Sequence, residues 1–264
     1  MNRIEAAFKH KPIFMPYFPV GYPSLETSLD VIEALAKNGA DLIEVGLSFS
    51  DPLADGPVIQ KATQTALEKG ITVKKSLKAV AELRGRGVAV PLVMMGYYNP
   101  ILAFGLDKFF QEARSAGVDG FIVPDLPLEE AEEFKTAAAA STSLGPGLPL
   151  ISMLAPTTPP ERMERIARGS QGFIYLVSVT GVTGARKEVP EGLEELVARV
   201  RQHTSIPVCV GFGIGTPQQA KAVGAMADGV IVGSACVRSI GESPSPVDAA
   251  KEFARSYRNA LMLL

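Results

Sequence analysis

Residues 41–57 read DLIEVGLSFSDPLADGP, an apolar run with a carboxylate in its middle that passes into a turn-rich loop carrying two more, Asp51 and Asp55. Successive side chains of a strand alternate, so Leu42, Glu44 and Gly46 share one face and Ile43, Val45 and Leu47 the other. A strand apolar on both faces belongs in a parallel sheet covered by helices. An acid inside such a strand is costly unless a function or a partner retains it. Glu44 is therefore expected to face a cavity. Asp55 lies beyond the strand's C-terminal end, where it can fold back over that cavity. Convergent carboxylates on an apolar wall point to proton-transfer chemistry. A buried Glu44 paired with a lysine, an arginine or a backbone group is the purely structural alternative.

Outward from this stretch the same unit recurs. PIFMPYFPV precedes it, and PLVMMGYY, GFIVPDLP, PLISMLAP, GFIYLVSVT, PVCVGFGI and DGVIVGSA follow, each separated from the next by a helical pattern. Leu25, Leu29, Ile32 and Ala36 mark the first such helix, and Asn38-Gly39 ends it. A short helix over 2–9 precedes strand one. Thr158-Pro159-Pro160-Glu161 and Thr216-Pro217-Gln218-Gln219 match capping boxes at two later helix starts. NPILAFG reads as a loop and STSLGPGLP as a Pro/Gly-rich connector. The final helix places Val247, Ala250, Ala254, Tyr257 and Leu261 on one face. Eight βα units in about 250 residues predict a (β/α)8 TIM barrel. It carries an extra N-terminal helix and an enlarged βα loop after strand 2. An open doubly wound sheet is the alternative, but no GxGxxG follows strand one. No domain boundary or internal repeat is evident, so residues 1–264 read as a single (β/α)8 barrel domain.

The composition excludes several functions. Of the 264 residues 47% are hydrophobic and 20% charged, an ordinary globular balance, and the net charge of −2 gives no footprint for nucleic acid or an anionic membrane. No apolar run is long enough to span a membrane, and no secretory signal opens the chain, so a cytoplasmic location is expected. Cys209 and Cys236 sit in apolar runs and read as reduced core thiols. His10 and His203 lack metal-ligand spacing, which removes zinc and histidine-based triads from consideration and predicts no metal. Acid–base work falls to the carboxylates.

In this architecture the active site lies at the C-terminal ends of the strands, with phosphate commonly bound after strands 7 and 8. There the chain reads Gly211-Phe212-Gly213-Ile214-Gly215 and Gly233-Ser234, and the loop after strand 6 adds Gly181, Thr183 and Gly184. Glycines let backbone N–H groups approach an anion, and a following helix N-terminus favours negative charge. A phosphorylated substrate is expected, although tight barrel turns alone also use glycine. Phe18, Met94, Ile122, Met153 and Tyr175 lie on different strands and can converge as an apolar wall.

FSDPLADGPVIQ after a strand bearing Glu44, then YYNPI, VPDLP, Tyr175 with SVTGVTG, GFGI and GSA, in this order, resemble the tryptophan synthase alpha chain family over nearly the whole sequence. That resemblance implies a lyase that cleaves indole-3-glycerol phosphate to indole and glyceraldehyde 3-phosphate by a retro-aldol reaction. It implies Glu44 as general acid–base and Asp55 as the carboxylate that accepts the indole N–H, with Asp55 ionised on a more polar loop. It assigns Gly184, Gly211, Gly213, Gly233 and Ser234 to phosphate. Phe18, Ile122, Tyr175, Thr183 and Phe212 fall to the indole and side-chain pocket, Thr183 lying on a mobile strand-six loop over 180–189. Asp51, Pro52, Asn99 and Pro100 match the rim facing a beta subunit in an alpha2-beta2 tetramer. No cofactor is implied in this chain; pyridoxal phosphate belongs to the beta subunit. Ser48, Gly96 and Val179 depart from the family's common residues near the loops and the rim. A stand-alone lyase and a non-catalytic phosphate-binding barrel that activates a partner are the competing readings.

Overall fold

The computed structural model of the chain describes residues 2–140, 147–178, 191–211 and 213–264. Its eight strands are β1 Ile13–Pro19, β2 Ile43–Gly46, β3 Leu92–Met95, β4 Gly120–Ile122, β5 Ser152–Leu154, β6 Ile174–Val177, β7 Val208–Gly211 and β8 Gly229–Val232. All pair in parallel in the order β4-β3-β2-β1-β8-β7-β6-β5. The ends of this order meet where Phe121 pairs with Leu150. There Phe121 N donates to Pro149 O at 2.9 Å and Ile151 N donates to Phe121 O at 2.8 Å. The sheet is thus a closed (β/α)8 barrel.

The helices form the outer ring. The first six are α1 Arg3–Ala7, α2 Leu25–Lys37, α3 Pro57–Glu68, α4 Val73–Gly85, α5 Tyr98–Phe104 and α6 Leu106–Ala116. The others among the described residues are α7 Glu132–Ala140, α8 Pro160–Gly169, α9 Leu193–Arg201, α10 Pro217–Gly224, α11 Ser234–Gly241 and α12 Pro246–Met262. The extra N-terminal helix and the enlarged β2 connection, with both α3 and α4, match the sequence reading.

Three local expectations change. NPILAFG is helical as part of α5, because the first free N–H of that helix, Tyr98 N, donates to Asp125 Oδ1 at 2.9 Å from the loop after β4. This cap comes from a distant residue, so no local pattern announces it. Thr158 does not cap α8. Pro159 is the N-cap, and the Thr158 hydroxyl accepts from Ala155 N at 3.0 Å inside the preceding turn. The second capping box, at Thr216, is present as read. An additional helix, α11, stands between β8 and the last helix.

Which residues face inward follows from register. Tyr17 pairs with Glu44 and Glu44 with Val93, so these three share the barrel interior. Phe18, Val45, Met94 and Phe121 form the next row and face the helices. There the Phe121 ring packs at 5.2 Å from Phe109 and 5.4 Å from Phe110, both on α6. Phe14, also on the outer face of β1, stacks on Tyr257 of α12 at 5.2 Å.

The strand feet carry a repeated device that was not legible as a sequence repeat. Asp41, Asp119 and Asp228 each stand just before an even-numbered strand. Each accepts a hydrogen bond from a backbone N–H of the preceding strand: Phe14 N at 2.8 Å, Leu92 N at 2.8 Å and Val208 N at 2.9 Å. Each is also ion-paired, Asp41 to Arg258, Asp119 to Arg84 and Arg3, and Asp228 to Lys11 and Arg201. For Asp228 burial favours the neutral acid, but the Val208 N–H and Lys11 outweigh it and hold the carboxyl below its usual range.

Removing one partner of a shielded pair leaves the other charge uncompensated, at a cost of about 3 kcal/mol. Asp119→Ala is therefore expected to lower the unfolding free energy by about that amount in urea titrations. An unchanged midpoint would show that Arg84 and Leu92 N find water instead.

Candidate active site

Glu44 lies in the middle of β2 and points into the barrel. It is 1% exposed, and its Oε1 has no hydrogen-bond partner among the described residues. The alternative of a buried Glu44 neutralised by a lysine or arginine is not what the described residues form. With no counter-charge, burial pushes its carboxyl up to about 8. At neutral pH Glu44 is then mostly a neutral acid that can both give and regain a proton.

Asp55 is held over the same interior by several fastenings. Leu47 N donates to Met95 O at 2.7 Å and ties the end of β2 to β3. Asp55 N closes a turn onto Pro52 O at 3.1 Å, and Gln60 Nε2 grips Asp55 O at 2.8 Å from α3. Tyr97, beyond β3, accepts from Ala54 N at 3.0 Å, and its ring lies 5.6 Å from that of Phe49. Burial pushes the Asp55 carboxyl up to about 6, against a hydrogen bond from Tyr97 that pulls it down. The expectation of a more polar loop is corrected here, since Asp55 is buried. The two carboxyls nevertheless differ in proton affinity, Glu44 at about 8 and Asp55 at about 6, so Asp55 is ionised at neutral pH where Glu44 is mostly not.

Two tyrosines complete the wall. Tyr175 on β6 shares the inward row with Met153 and Cys209 and lies within the field of both Glu44 and Asp55. Tyr17 on β1 does the same from the other side. Both depend on glycines: a Cβ at Gly46 would lie 2.3 Å from Tyr17 Oη, and one at Gly211 would lie 2.4 Å from Tyr175 Oη. Ile122 faces inward with Met95, as expected of a pocket residue. Phe18 does not. Its ring is in the helix layer, 6.3 Å from Tyr22, and Met94 is in the same outer row. The expectation for Phe18 rests on its place on a strand and on the family resemblance, neither of which fixes the face; the register turns Tyr17 inward instead.

At the other side of the mouth β7 ends at Gly211, Gly213 takes a positive φ of 83°, and β8 runs through Gly233 into α11. Ser234 opens α11, is 8% exposed, and its Oγ has no partner among the described residues. A buried hydroxyl beside free helix N–H groups is a setting for an anion. Thr183, Gly184, Phe212, Val179 and the loop 180–189 lie outside the described residues.

On the rim, Asp51 and Asn99 are exposed and Pro52 and Pro100 half-buried. Sequence reasoning passed over two apolar side chains there, Leu53 at 82% and Leu102 at 46% exposure. Gly96, near this rim, is buried, and a Cβ there would lie 2.6 Å from Leu47 Cβ. Its small size serves packing. Among the described residues no group of His, Cys, Asp and Glu is placed to hold a metal, and no helix is long and apolar enough to cross a membrane.

A barrel with two buried carboxylates and a buried hydroxyl at a helix start near one mouth carries the kinds of groups that acid–base enzymes acting on anionic substrates use. Comparison with known proteins narrows the class. The tryptophan synthase alpha chain family profile matches residues 4–262. The tryptophan synthase alpha chain of Chloroflexus aurantiacus is 49% identical over 99% of this chain and 98% of its own length. That of Roseiflexus sp. is 46% identical over 98% of this chain and 100% of its own. A chain of Mycobacterium tuberculosis tryptophan synthase superposes with a TM-score of 0.89 at 35% identity, covering 98% of both chains. The chain belongs to the tryptophan synthase alpha chain family. It is a lyase of tryptophan biosynthesis that cleaves indole-3-glycerol phosphate.

The raised Glu44 carboxyl has a consequence for stability. A group that binds its proton more tightly when folded contributes stability that is fully present below its unfolded value, near 4.5, and lost as pH rises toward about 8. Glu44→Gln keeps the neutral shape without the titration. Its melting temperature should therefore gain on the unsubstituted chain between pH 5 and pH 8.5. An equal difference at both pH values would mean that Glu44 titrates as an ordinary surface acid.

Proposed function

We propose that Glu44 and Asp55 divide the retro-aldol cleavage between them. Glu44 in its neutral form gives a proton to C3 of the indole ring. Asp55, ionised, accepts the ring N–H and stabilises the positive charge that develops there. Glu44, now a carboxylate, takes the proton of the side-chain hydroxyl on the carbon attached to C3. The bond between that carbon and C3 breaks, its electron pair returns to the ring, and indole and glyceraldehyde 3-phosphate leave. Two carboxylates whose surroundings hold them at different proton affinities suit these different tasks. The observation that carries the reading is the uncompensated burial of Glu44 on the inner face of β2, opposite the loop that fastens Asp55.

The phosphate is held, in this reading, by backbone groups of Gly184, Gly211, Gly213 and Gly233 and by the Ser234 hydroxyl at the start of α11. Thr183 and Phe212, with Ile122 and Tyr175, complete the pocket. The rim of Asp51, Pro52, Asn99 and Pro100 meets a beta subunit in an alpha2-beta2 tetramer, with Leu53 and Leu102 supplying exposed apolar contact. The chain itself uses no cofactor; pyridoxal phosphate sits in the beta subunit that consumes the indole. We read residues 1–264 as a single barrel domain working in the cytoplasm.

Indole release from indole-3-glycerol phosphate, by the chain alone and with a beta subunit, tests this. Slow turnover that rises sharply with the partner is expected, whereas fast turnover indifferent to the partner would make the chain a stand-alone lyase. Glu44→Gln and Asp55→Asn should each cut turnover at least about 100-fold, the usual range for a positioned acid–base group. Unchanged indole formation by either variant would remove that residue from the chemistry.

A further inference from the structure

Between the acid–base end of the pocket and its anion end stands a hydroxyl that nothing above uses. Tyr17 and Glu44 are direct register partners on adjacent strands, so their side chains leave the barrel wall side by side. The phenol runs toward the C-terminal mouth and lies over Gly46, two residues beyond Glu44, where a Cβ would come within 2.3 Å of Oη and 2.6 Å of Cζ. At its other end, Tyr17 Cβ is 3.9 Å from the position a Cβ would take at Gly233, next to Ser234. One side chain therefore reaches from the start of α11 to Gly46 at the end of β2, within the field of both Asp55 and Glu44. A three-carbon chain joining a phosphate at the start of α11 to a ring at the carboxylate of β2 must pass across this phenol. The hydroxyl forms no hydrogen bond with a described residue, although Tyr17 is 4% exposed. Burial keeps its proton on, so it stands ready as a donor.

We propose that the Tyr17 hydroxyl reads the hydroxylated linker of the substrate, donating a hydrogen bond to a chain hydroxyl oxygen beside Glu44. Tyr17 is thereby a specificity-determining residue for the glycerol portion, a part that the apolar wall and the phosphate cradle cannot distinguish from a plain alkyl chain. Gly46 is its seat, since any side chain there would displace the phenol. The inference rests on the substrate orientation proposed above.

The test compares two ligands in the presence and absence of the hydroxyl. Glu44→Gln serves as background so that substrate is bound without being consumed. Dissociation constants are measured for indole-3-glycerol phosphate and for the same indole phosphate lacking both chain hydroxyls, with and without Tyr17→Phe. The expected result is about a ten-fold loss for the hydroxylated ligand, the effect of one buried hydrogen bond, with less than a two-fold change for the deoxy ligand. Equal losses for both would show that Tyr17 acts through packing alone, and no loss for either would show that its hydroxyl touches neither; both overturn the inference. Turnover by the unsubstituted chain is followed in parallel. Absence of indole there would overturn the proposed reaction, while the binding ratio still judges Tyr17.

Discussion

Everything at the mouth of this barrel depends on the parallel register of β1, β2 and β3. That register sets Tyr17, Glu44 and Val93 in one inward row and Phe18, Val45 and Met94 in the outward one. Because side chains alternate, a slip of a single residue would send Glu44 into the helix layer and bring Val45 inside. The three aspartates at the strand feet bear directly on this constraint. Each holds a neighbouring strand by its backbone N–H, at a point where the ladder begins. Their arginine and lysine partners come from α1, α4, α9 and α12 and from the segment before β1. Each foot thus ties two strands to the helix layer or to the entering chain.

Glu44 sits above these feet with no compensating cation among the described residues, and its position is expensive for the fold. The surrounding strands are apolar and tightly packed, so the penalty falls on the charged form and appears as a carboxyl near 8. Asp55 shares the burial but keeps the attention of Tyr97, which leaves it near 6. One carboxylate is thus neutral and the other charged across the neutral pH range. The difference has three sources: Glu44 is the more deeply buried, an aspartate starts from a lower ordinary value, and Tyr97 gives Asp55 a hydrogen bond that Glu44 lacks. Tyr97 gains importance through this, since it binds the loop backbone at Ala54 as well as acting on Asp55.

The elements that were legible beforehand are those whose information is local. The alternation of apolar runs with helical patterns gave the eight βα units and the long β2 connection. Thr216 and Gln219 reciprocate across one helical turn, so their box was visible in four letters. Thr158 begins a stretch of the same capping-box pattern, yet its hydroxyl is taken by Ala155 N, and with a second proline the helix starts one residue along. The helix of NPILAFG depends on Asp125, and the strand-foot device on Arg84, Arg201 and Arg258, all distant in the chain. Such contacts leave no periodic trace.

From the amino-acid order alone came the barrel, the family resemblance, and the singling out of Glu44 and Asp55, because hydrophobic period, turn chemistry and an acid in an apolar strand are all written along the chain. Only the tertiary structure decided that Tyr17 rather than Phe18 enters the pocket. It also decided that Asp55 is buried, that Gly46 and Gly211 make room for phenols, and that Leu53 and Leu102 remain uncovered. The physical reason is that each of these depends on which atoms of other strands and loops arrive within a few ångströms. Register and closure set that distance, and no stretch of the chain contains it.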